Sequence, residues 1–356
     1  MSLSFGCAIM NGENEMIFPI KEYDMIYRFN TVNGECRCLE GYVPEGGFTG
    51  AKYGSICKCQ DRYLILAPSF SNRVYIHDMY ENEGRYITLR DCKVNSELFM
   101  DSCVYGDCVY LLPRGYDAIV KIDLLTNQVV YYDEMIKEMK DKVKHKMYFW
   151  RGSVTAGDYL YAPFYRTNVI LKMNLKDDTY CLVKSDDETD QFVCMCSVSD
   201  NIYVMSSDGK ISVFDLERGV FNTGFTPDDS VRTSDVAYAS LCTCKDFIAE
   251  FSCCNSKINI LSTSGREINY VNSINNRESQ WFSPVASSEY VYAFAHGEKV
   301  LYKIDIEKAQ VIEKIKVSGD KNENIDFKSK YFDNQNDTYF ERDGASVNKF
   351  IDFLVK

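Results

Sequence analysis

The sequence predicts an all-β protein, a seven-bladed β-propeller built from four-stranded antiparallel blades. Two observations lead to this fold class. Tyr (26) and Phe (21) are more abundant than helices usually favour, and both residue types suit strands. In addition, two alternating β-branched runs joined by a polar turn recur seven times, 41 to 51 residues apart, which is typical of a repeat architecture. The first turn residues are Asn30, Asp78, Asp123, Asn174, Asp215, Ser262 and Asp305.

Each repeat contains four strand-like runs, which we name a to d from the centre outward. In the second repeat they span residues 55–60, 63–68, 73–76 and 85–89. The Asn, Asp or Ser after strand c is expected to hold the c–d turn, because its side-chain oxygen can accept hydrogen bonds from backbone N–H groups. A four-stranded sheet alone exposes an apolar face, so the seven sheets must stack, and radial stacking closes them into a ring.

The turn segments also carry a resemblance to known repeat proteins. Residues 122–130 and 304–312 read Ile-Asp-Leu-Leu-Thr-Asn-Gln-Val-Val and Ile-Asp-Ile-Glu-Lys-Ala-Gln-Val-Ile, and both resemble the repeat of YVTN-type seven-bladed β-propellers. The architecture is similar to that of YVTN-type and kelch-like repeat proteins over residues 4–317. The Tyr-Val-Thr-Asn signature, the double glycines of kelch repeats and the Trp-Asp pairs of WD40 blades are absent. The resemblance therefore implies a hairpin architecture and no particular chemistry.

A helical insertion is predicted at about residues 134–147, between the third and fourth blades. Its apolar residues recur at i, i+4 spacing among Lys, Glu and Asp, which indicates a short amphipathic helix. These residues are Met135, Met139, Val143 and Met147. Two interpretations stay open: a surface insertion that packs on the ring, or a lid, for which the adaptable packing of Met would suit a movable contact.

The domain organisation follows from where the repeats end. Residues 4–317 form the propeller as a single domain, and residues 318–356 form a polar tail that ends in a short helix docked on the ring. Ser346 is the expected N-cap of that helix, ahead of apolar residues at helical spacing. These apolar residues are Val347, Phe350, Ile351 and Leu354.

The composition limits which classes of partner the protein is expected to bind and in which cellular compartment it is expected to lie. A net charge of −12 repels phosphate, so nucleic acid and anionic membranes are not expected as partners. Runs of 18 apolar residues are absent, so no membrane span is predicted.

Four Cys-x-Cys pairs place two thiols on one face of a strand, as small buried side chains. Fifteen cysteines without zinc-ligand spacing favour a reducing, cytoplasmic location, and no metal or cofactor is predicted.

Candidate site residues lie in the d–a connections and b–c turns, which share one rim of a propeller. Aromatic rings and arginines there can stack on flat or sugar-like faces and hold carboxylate or phosphate through bidentate hydrogen bonds. The alternative interpretation is structural, with aromatics that fill the space between blades and arginines that cap strand ends. The candidate ligand-binding residues are Arg114, Tyr116, Trp150, Arg151, Tyr165, Arg166, Phe192, Trp281 and His296.

The sequence thus favours a non-catalytic binding propeller whose rim holds a small molecule, a glycan or a protein. The other hypothesis is an enzyme, a lyase or hydrolase acting on a sugar or cyclic ester. Seven-bladed lyases similar to virginiamycin B lyase use histidine with a divalent cation, and His296 is the residue placed to do so here. His77, beside Asp78 in a strand, is expected to be structural. Motifs for acyl transfer, phosphate loops or dinucleotides are absent.

Overall fold

The computed structural model of the chain confirms the predicted fold class. The structure describes residues 5–20, 24–42, 52–90, 97–142, 149–226, 240–251, 257–263, 268–272, 281–295 and 300–317. Within these ranges the chain forms seven four-stranded antiparallel sheets, and each sheet is made of four consecutive strands. Every blade is therefore complete in itself, with strand a innermost and strand d outermost.

The first four blades have the following strands. Blade 1 comprises β1 (Ile9–Met10), β2 (Glu15–Pro19), β3 (Ile26–Asn30) and β4 (Cys36–Cys38). Blade 2 comprises β5 (Tyr53–Cys59), β6 (Tyr63–Pro68), β7 (Arg73–Asp78) and β8 (Glu83–Thr88). Blade 3 comprises β9 (Phe99–Tyr105), β10 (Cys108–Pro113), β11 (Ile119–Asp123) and β12 (Val129–Tyr132). Blade 4 comprises β13 (Val154–Ala156), β14 (Tyr159–Pro163), β15 (Val169–Asn174) and β16 (Tyr180–Lys184).

The last three blades follow the same order. Blade 5 comprises β17 (Phe192–Val198), β18 (Asn201–Ser206), β19 (Ile211–Asp215) and β20 (Val220–Phe225). Blade 6 comprises β21 (Ser240–Cys244), β22 (Phe247–Phe251), β23 (Lys257–Ser262) and β24 (Ile268–Asn272). Blade 7 comprises β25 (Trp281–Ala286), β26 (Tyr290–Ala295), β27 (Val300–Asp305) and β28 (Gln310–Lys316).

The c–d turns form as the sequence predicts. The Oδ1 atom of Asp123 accepts hydrogen bonds from the backbone N–H groups of Leu125 and Thr126 at 2.9 and 2.8 Å. Four residues after the Asp, Asn127 adopts a left-handed backbone with a φ of 58°. Such a residue closes the four-residue hairpin loop at 124–127, after which the Asp123 N–H donates to the Gln128 carbonyl at 3.0 Å and the ladder between strands c and d resumes. Five further turns are held through a side-chain oxygen of Asn30, Asp78, Asn174, Asp215 and Asp305.

Packing between neighbouring blades supplies the hydrophobic core. Among the described residues, seven clusters of buried side chains lie one at each blade interface. One of these clusters joins blade 1 to blade 7, so among the described strands the ring closes by packing between two sheets and not by a shared strand. Phe5 is central to this contact, with ring centroids 4.3 Å from Phe18 and 4.4 Å from Phe294. Outside the core, the Oγ atom of Ser288 donates to Glu13 at 2.7 Å across the same junction.

The predicted insertion contains one helix, α1 (Asp133–Lys142). Met135, Ile136 and Met139 on this helix are buried in the cluster between blades 3 and 4. This burial favours the surface-insertion interpretation over the lid. Residues 143–148 of the insertion and the whole tail at 318–356, with its predicted helix, lie outside the described residues, so the tail and the domain boundary stay predictions.

Replacing Phe5 by Ala tests how much the blade 1 to blade 7 contact stabilises the ring. The fully buried ring should cost about 3–5 kcal/mol of unfolding free energy when truncated, because apolar burial is lost and a cavity remains. Phe5→Leu, which keeps most of the volume, should cost less than about 1.5 kcal/mol. Urea denaturation followed by tryptophan fluorescence measures both values. Equal costs for the two variants would contradict closure through this ring.

Replacing Asp123 tests the turn. Asp123→Ala should lower the unfolding free energy by about 1 kcal/mol, because two backbone N–H groups lose their acceptor. Asp123→Asn should be nearly neutral, since Asn30 and Asn174 hold the same turn in other blades. Chemical denaturation of the three proteins at pH 7 separates the hydrogen bond from the charge. An Asn variant as unstable as the Ala variant would show that charge, and not hydrogen-bond acceptance, holds the turn.

Candidate functional site

Four of the predicted rim residues form one contiguous stack on blades 3 and 4. The guanidinium carbon of Arg114 lies 3.9 Å from the Trp150 ring centroid. Trp150 packs against Tyr165 at 5.8 Å between ring centroids, and the Arg166 guanidinium carbon lies 5.5 Å from the Tyr165 ring. Glu97 forms an ion pair with Arg114. We call Arg114, Trp150, Tyr165 and Arg166 the rim stack; each cation faces an aromatic ring, an arrangement that is favourable when partly desolvated.

Arg166 differs from the other members of the rim stack in its backbone conformation and in its hydrogen-bond partners. Its backbone is left-handed, with a φ of 57°, which is unusual for a residue other than Gly, Asn or Asp. Its N–H donates to the Phe192 carbonyl of the next blade at 2.7 Å, which holds this conformation. Among the described residues, Arg166 has no carboxylate partner and its buried Nε–H finds no acceptor. By contrast, the rim cation of blade 5, Lys210, forms ion pairs with two aspartates, Asp187 and Asp190, at 2.6 and 2.7 Å.

Two further predicted rim aromatics are buried between blades. Tyr116 is 5% exposed, packs against Phe99 at 5.0 Å and donates its hydroxyl to the Arg90 carbonyl at 2.6 Å. Phe192 is fully buried and stacks on Phe221 at 5.6 Å. Trp150 is also largely buried, at 6% exposure. These rings fill the space between neighbouring sheets and pack beneath the rim.

Two predicted residues have no described side chain. Trp281 is the first residue of β25 and pairs with Ala295. His296 lies outside the described residues, so the enzyme hypothesis that depends on it is untested. His77 is fully buried with its Nδ1 atom 3.1 Å from the Tyr75 hydroxyl, and burial lowers its pKa. A structural role for His77 agrees with this position.

The central channel holds a cavity of about 210 Å³ on the same side of the ring as the rim stack. We call it the channel pocket. All seven blades contribute to its lining, through residues of strand a or the residues just before it. One lining residue from each blade, in order, is Cys7, Ser55, Asp101, Arg151, Cys194, Leu241 and Pro284.

Two charged side chains of opposite sign lie in the wall of the channel pocket. Asp101 accepts hydrogen bonds from the backbone N–H groups of Ser102 at 2.8 Å and Ser153 at 2.6 Å. Burial nevertheless raises the pKa of Asp101 to about 6, against the opposing effect of these donors and of the Arg151 charge. Arg151 reaches from blade 4 to blade 1, where its Nη2 atom donates to the Gly6 carbonyl at 2.5 Å.

Two glycines let the inner strands approach closely at this depth. A Cβ atom on Gly54 would lie 2.1 Å from the carbonyl oxygen of Phe99 in the next blade. A Cβ atom on Gly152, whose φ is +81°, would lie 2.5 Å from the carbonyl oxygen of Met195. Larger residues at these positions would push neighbouring blades apart, so the glycines set the width of the channel pocket.

Asp101 is the main site residue that sequence reasoning missed. It is not among the candidate residues named from the sequence, because a single acidic residue is not distinctive among 52. The available signal is a carboxylate in a strand, β9, where Ser102 is the other small polar residue. Glu250 in β22 was missed for the same reason: it is 5% exposed, accepts a hydrogen bond from Asn259 at 2.9 Å and faces the interface with blade 5.

The inner-strand cysteines behave as buried apolar side chains. Cys57 and Cys59 share the cluster between blades 2 and 3, and Cys194 and Cys196 share the one between blades 5 and 6. Burial raises the pKa of Cys57 to about 12, so this thiol is a poor nucleophile at neutral pH. In the part of the chain that is described, His, Cys, Asp and Glu do not gather in threes that could hold a metal ion. Within the same ranges the only helix is too short and too polar to cross a membrane.

Comparison with solved structures supports the fold. Virginiamycin B lyase from Staphylococcus aureus has a TM-score of 0.64 at 12% identity, over 82% of this chain and 91% of the lyase. The β-propeller domain of Cps50 (Swd1) from Myceliophteria thermophila has a TM-score of 0.61 at 12% identity, over 83% and 95%. The RRP9 WD40 repeats have a TM-score of 0.60 at 11% identity, over 83% and 88%. At such low identity the likeness shows the propeller fold alone.

Comparisons of the sequence find no family. No family model matches the chain, and none of the curated proteins matches it. The resemblance to YVTN-type and kelch-like repeats therefore stays a prediction, and the function has to be argued from the site.

Glu250→Gln tests the buried carboxyl between blades 5 and 6. Burial raises the pKa of Glu250 from 4.5 to about 7, so between these pH values the folded state binds more protons than the unfolded state. The unfolding free energy should therefore fall as pH rises through this window. The neutral Gln avoids that loss and should be more stable than the parent at pH 8, by about 1–3 kcal/mol, but not at pH 4.

Urea denaturation at pH 4, 6 and 8 measures this difference. The matched control is Glu217→Gln, because Glu217 is exposed in the c–d turn of blade 5. This control should follow the parent protein at all three pH values. A Glu250→Gln variant that also follows the parent would show that Glu250 is ionised in the folded protein without cost.

Proposed function

We propose that this propeller is a non-catalytic binding module that holds a carboxylate of its partner at the rim, beside Arg166. The observation that carries the proposal is the position of Arg166: its guanidinium rests on Tyr165 and lacks a carboxylate partner among the described residues. A guanidinium has five N–H donors in a planar fork that matches a carboxylate in geometry. A partner carboxylate would supply the acceptor that the described residues do not.

The rest of the rim stack supports such binding by fixing the geometry. Trp150 and Tyr165 are buried, so their side chains hold one orientation before a partner arrives. Preorganised groups lose little conformational entropy on binding, and this favours affinity. The partially exposed Arg114, paired with Glu97, adds polar contact at the edge of the same surface. The stack therefore suits a partner that brings a carboxylate to the Arg166 guanidinium, while the buried Trp150 and Tyr165 rings hold that guanidinium in place.

The chemistry allows three sources for the carboxylate: a small acid, an acidic glycan or an acidic segment of a protein. The net charge of −12 disfavours long-range attraction of anions, so recognition has to come from local contacts. The exclusion of nucleic acid and of anionic membranes rests on this charge and stays a prediction, as does the cytoplasmic location. The similarity to solved propellers, one of which is a lyase, supports the fold and gives no argument for a particular reaction.

The test is thermal unfolding of the purified protein against glucuronate, galacturonate, oligogalacturonates, an acidic peptide, nucleotides and divalent cations. A carboxylate ligand at a hundredfold excess over its dissociation constant should stabilise the folded state by about 2.7 kcal/mol. Arg166→Ala should abolish this stabilisation, and Arg166→Lys should weaken it because the bidentate geometry is lost.

The matched control is Arg218→Ala. Arg218 is exposed in the c–d turn of blade 5, on the side of the ring away from the rim. It should leave the ligand effect unchanged. Stabilisation that survives Arg166→Ala would move the site away from the rim stack. If glycans and small acids have no effect but the acidic peptide does, the partner is a protein; no effect from any carboxylate would overturn the proposal.

A further inference from the structure

Large apolar side chains are exposed at the c–d turns of blades 1, 2 and 3, on the side of the ring away from the rim stack. Each lies two residues after the Asn or Asp that holds the turn, and its backbone N–H donates to that side chain at 2.9, 3.0 and 2.9 Å. They are Val32, Tyr80 and Leu125, which are 68%, 68% and 65% exposed. In the part of the chain that is described, no other large apolar residue is as exposed.

The turn itself does not require an apolar residue at this position. Blades 4, 5 and 7 have exposed charged residues there, namely Lys176, Glu217 and Glu307. Exposed apolar residues that are scattered singly need no explanation, but these three occupy equivalent positions in consecutive blades and lie in one sector of the ring. Their exposure is therefore a feature of this surface that the fold does not explain.

Between the turns of blades 2 and 3 the surface is continuous. The guanidinium carbon of Arg62 lies 5.9 Å from the ring centroid of Tyr80 and 5.0 Å from that of Tyr63. The guanidinium carbon of Arg85 lies 5.6 Å from the Tyr63 ring, and its Nη2 atom donates to the Leu124 carbonyl at 3.0 Å, at the base of the blade 3 turn. We call this surface the turn patch; it consists of Arg62, Tyr63, Tyr80, Arg85 and Leu125.

The composition and the size of the turn patch fit a protein partner. Tyr and Arg are enriched at protein–protein interfaces relative to the rest of a protein surface. Tyr80 and Leu125 belong to neighbouring blades, and packed sheets lie about 10 Å apart. An extended chain advances about 3.3 Å per residue, so one peptide segment can reach both side chains with residues three or four positions apart.

The charges around the turn patch decide which kind of protein segment it fits. Six carboxylates and three basic side chains lie in the surrounding turns, at residues 58–63, 78–85, 106–107 and 123–128. The Arg62 charge is paired with Asp78. Next to Tyr80 in the chain, Glu81 and Glu83 are exposed, and neither forms a salt bridge with a described residue. A second copy of the chain, with its own net charge of −12, would be repelled, so a basic segment is the complementary partner.

We propose that the turn patch is a docking surface for a basic segment of another protein. A Lys or Arg of the segment would lie over the exposed ring of Tyr80, close to Glu81 and Glu83, because the face of an aromatic ring attracts cations. An apolar side chain three or four residues away would pack on Leu125. Val32 would add a further apolar contact for a longer segment. This inference is independent of the rim proposal, because it concerns the other side of the ring.

The experiment selects ligands for the whole protein from a phage-displayed library of random dodecapeptides. Peptides that also bind the double variant Tyr80→Glu, Leu125→Glu are removed before each round of selection. The peptides recovered on the parent protein should contain Lys or Arg with Leu, Ile, Val or Phe three or four positions away.

Fluorescence anisotropy with a recovered peptide then locates the binding. Tyr80→Glu and Leu125→Glu should each weaken binding at least tenfold. Each adds a negative charge, so non-specific attraction of a basic peptide would instead become stronger. The matched control is Val220→Glu, the same change at an apolar residue of blade 5 that is 49% exposed. Val220→Glu and Arg166→Ala should both leave binding unchanged, and the latter separates this result from the test of the rim.

The opposite results would overturn the proposal. It fails if no peptide prefers the parent protein to the double variant, if the recovered peptides are acidic or lack the apolar residue, or if Val220→Glu weakens binding as much as the patch variants. Glu217 and Glu307 show that the turn accepts Glu, and circular dichroism checks that each variant is folded. If a Glu variant does not fold, Tyr80→Ser and Leu125→Ser decide the question, since they remove the same contacts without adding charge.

Discussion

The fold depends on the packing of blade 1 against blade 7, which closes the ring without a strand shared among those that the structure describes. Every blade is an antiparallel sheet with apolar side chains on both faces, so an open array would leave two apolar faces in water. Packing of Phe5 and Phe18 against Phe294 covers both of these faces at once. The same N-terminal segment offers the Gly6 carbonyl to Arg151 on the far side of the channel. Closure of the ring and shaping of the channel pocket therefore depend on adjacent residues.

The repeat could be predicted from sequence because its signals are local. Asp123 and its equivalents act on N–H groups two and three residues ahead, so the turn is encoded within a few positions. The helix at Asp133–Lys142 is likewise visible from the spacing of Met135 and Met139. The rim positions of Arg114, Trp150, Tyr165 and Arg166 followed from the order of strands alone.

What could not be predicted is how deep each side chain lies. Trp150 and Tyr116 occupy the expected connections, yet their rings are buried, because depth is set by the spacing between neighbouring sheets. The channel pocket combines residues as far apart in sequence as Cys7 and Pro284. Its composition depends on radial geometry, which no local pattern encodes. Asp101 is a clear example: its place in an inner strand is local information, but its position in the wall of the channel pocket is not.

Positions that depart from the repeat are the ones that its architecture does not explain. A residue whose local preferences agree with the fold is explained by the fold itself. A residue that lowers the stability of the fold is retained only if another interaction or a function offsets that cost. Arg166 combines a left-handed backbone with a guanidinium that has no carboxylate partner in the described part of the chain, while Lys210 on the same rim is neutralised by two aspartates. Asp101 places a carboxyl where other blades have Ser55 or Leu241. Both exceptions lie on the same side of the ring, whereas the opposite side carries the regular c–d turns.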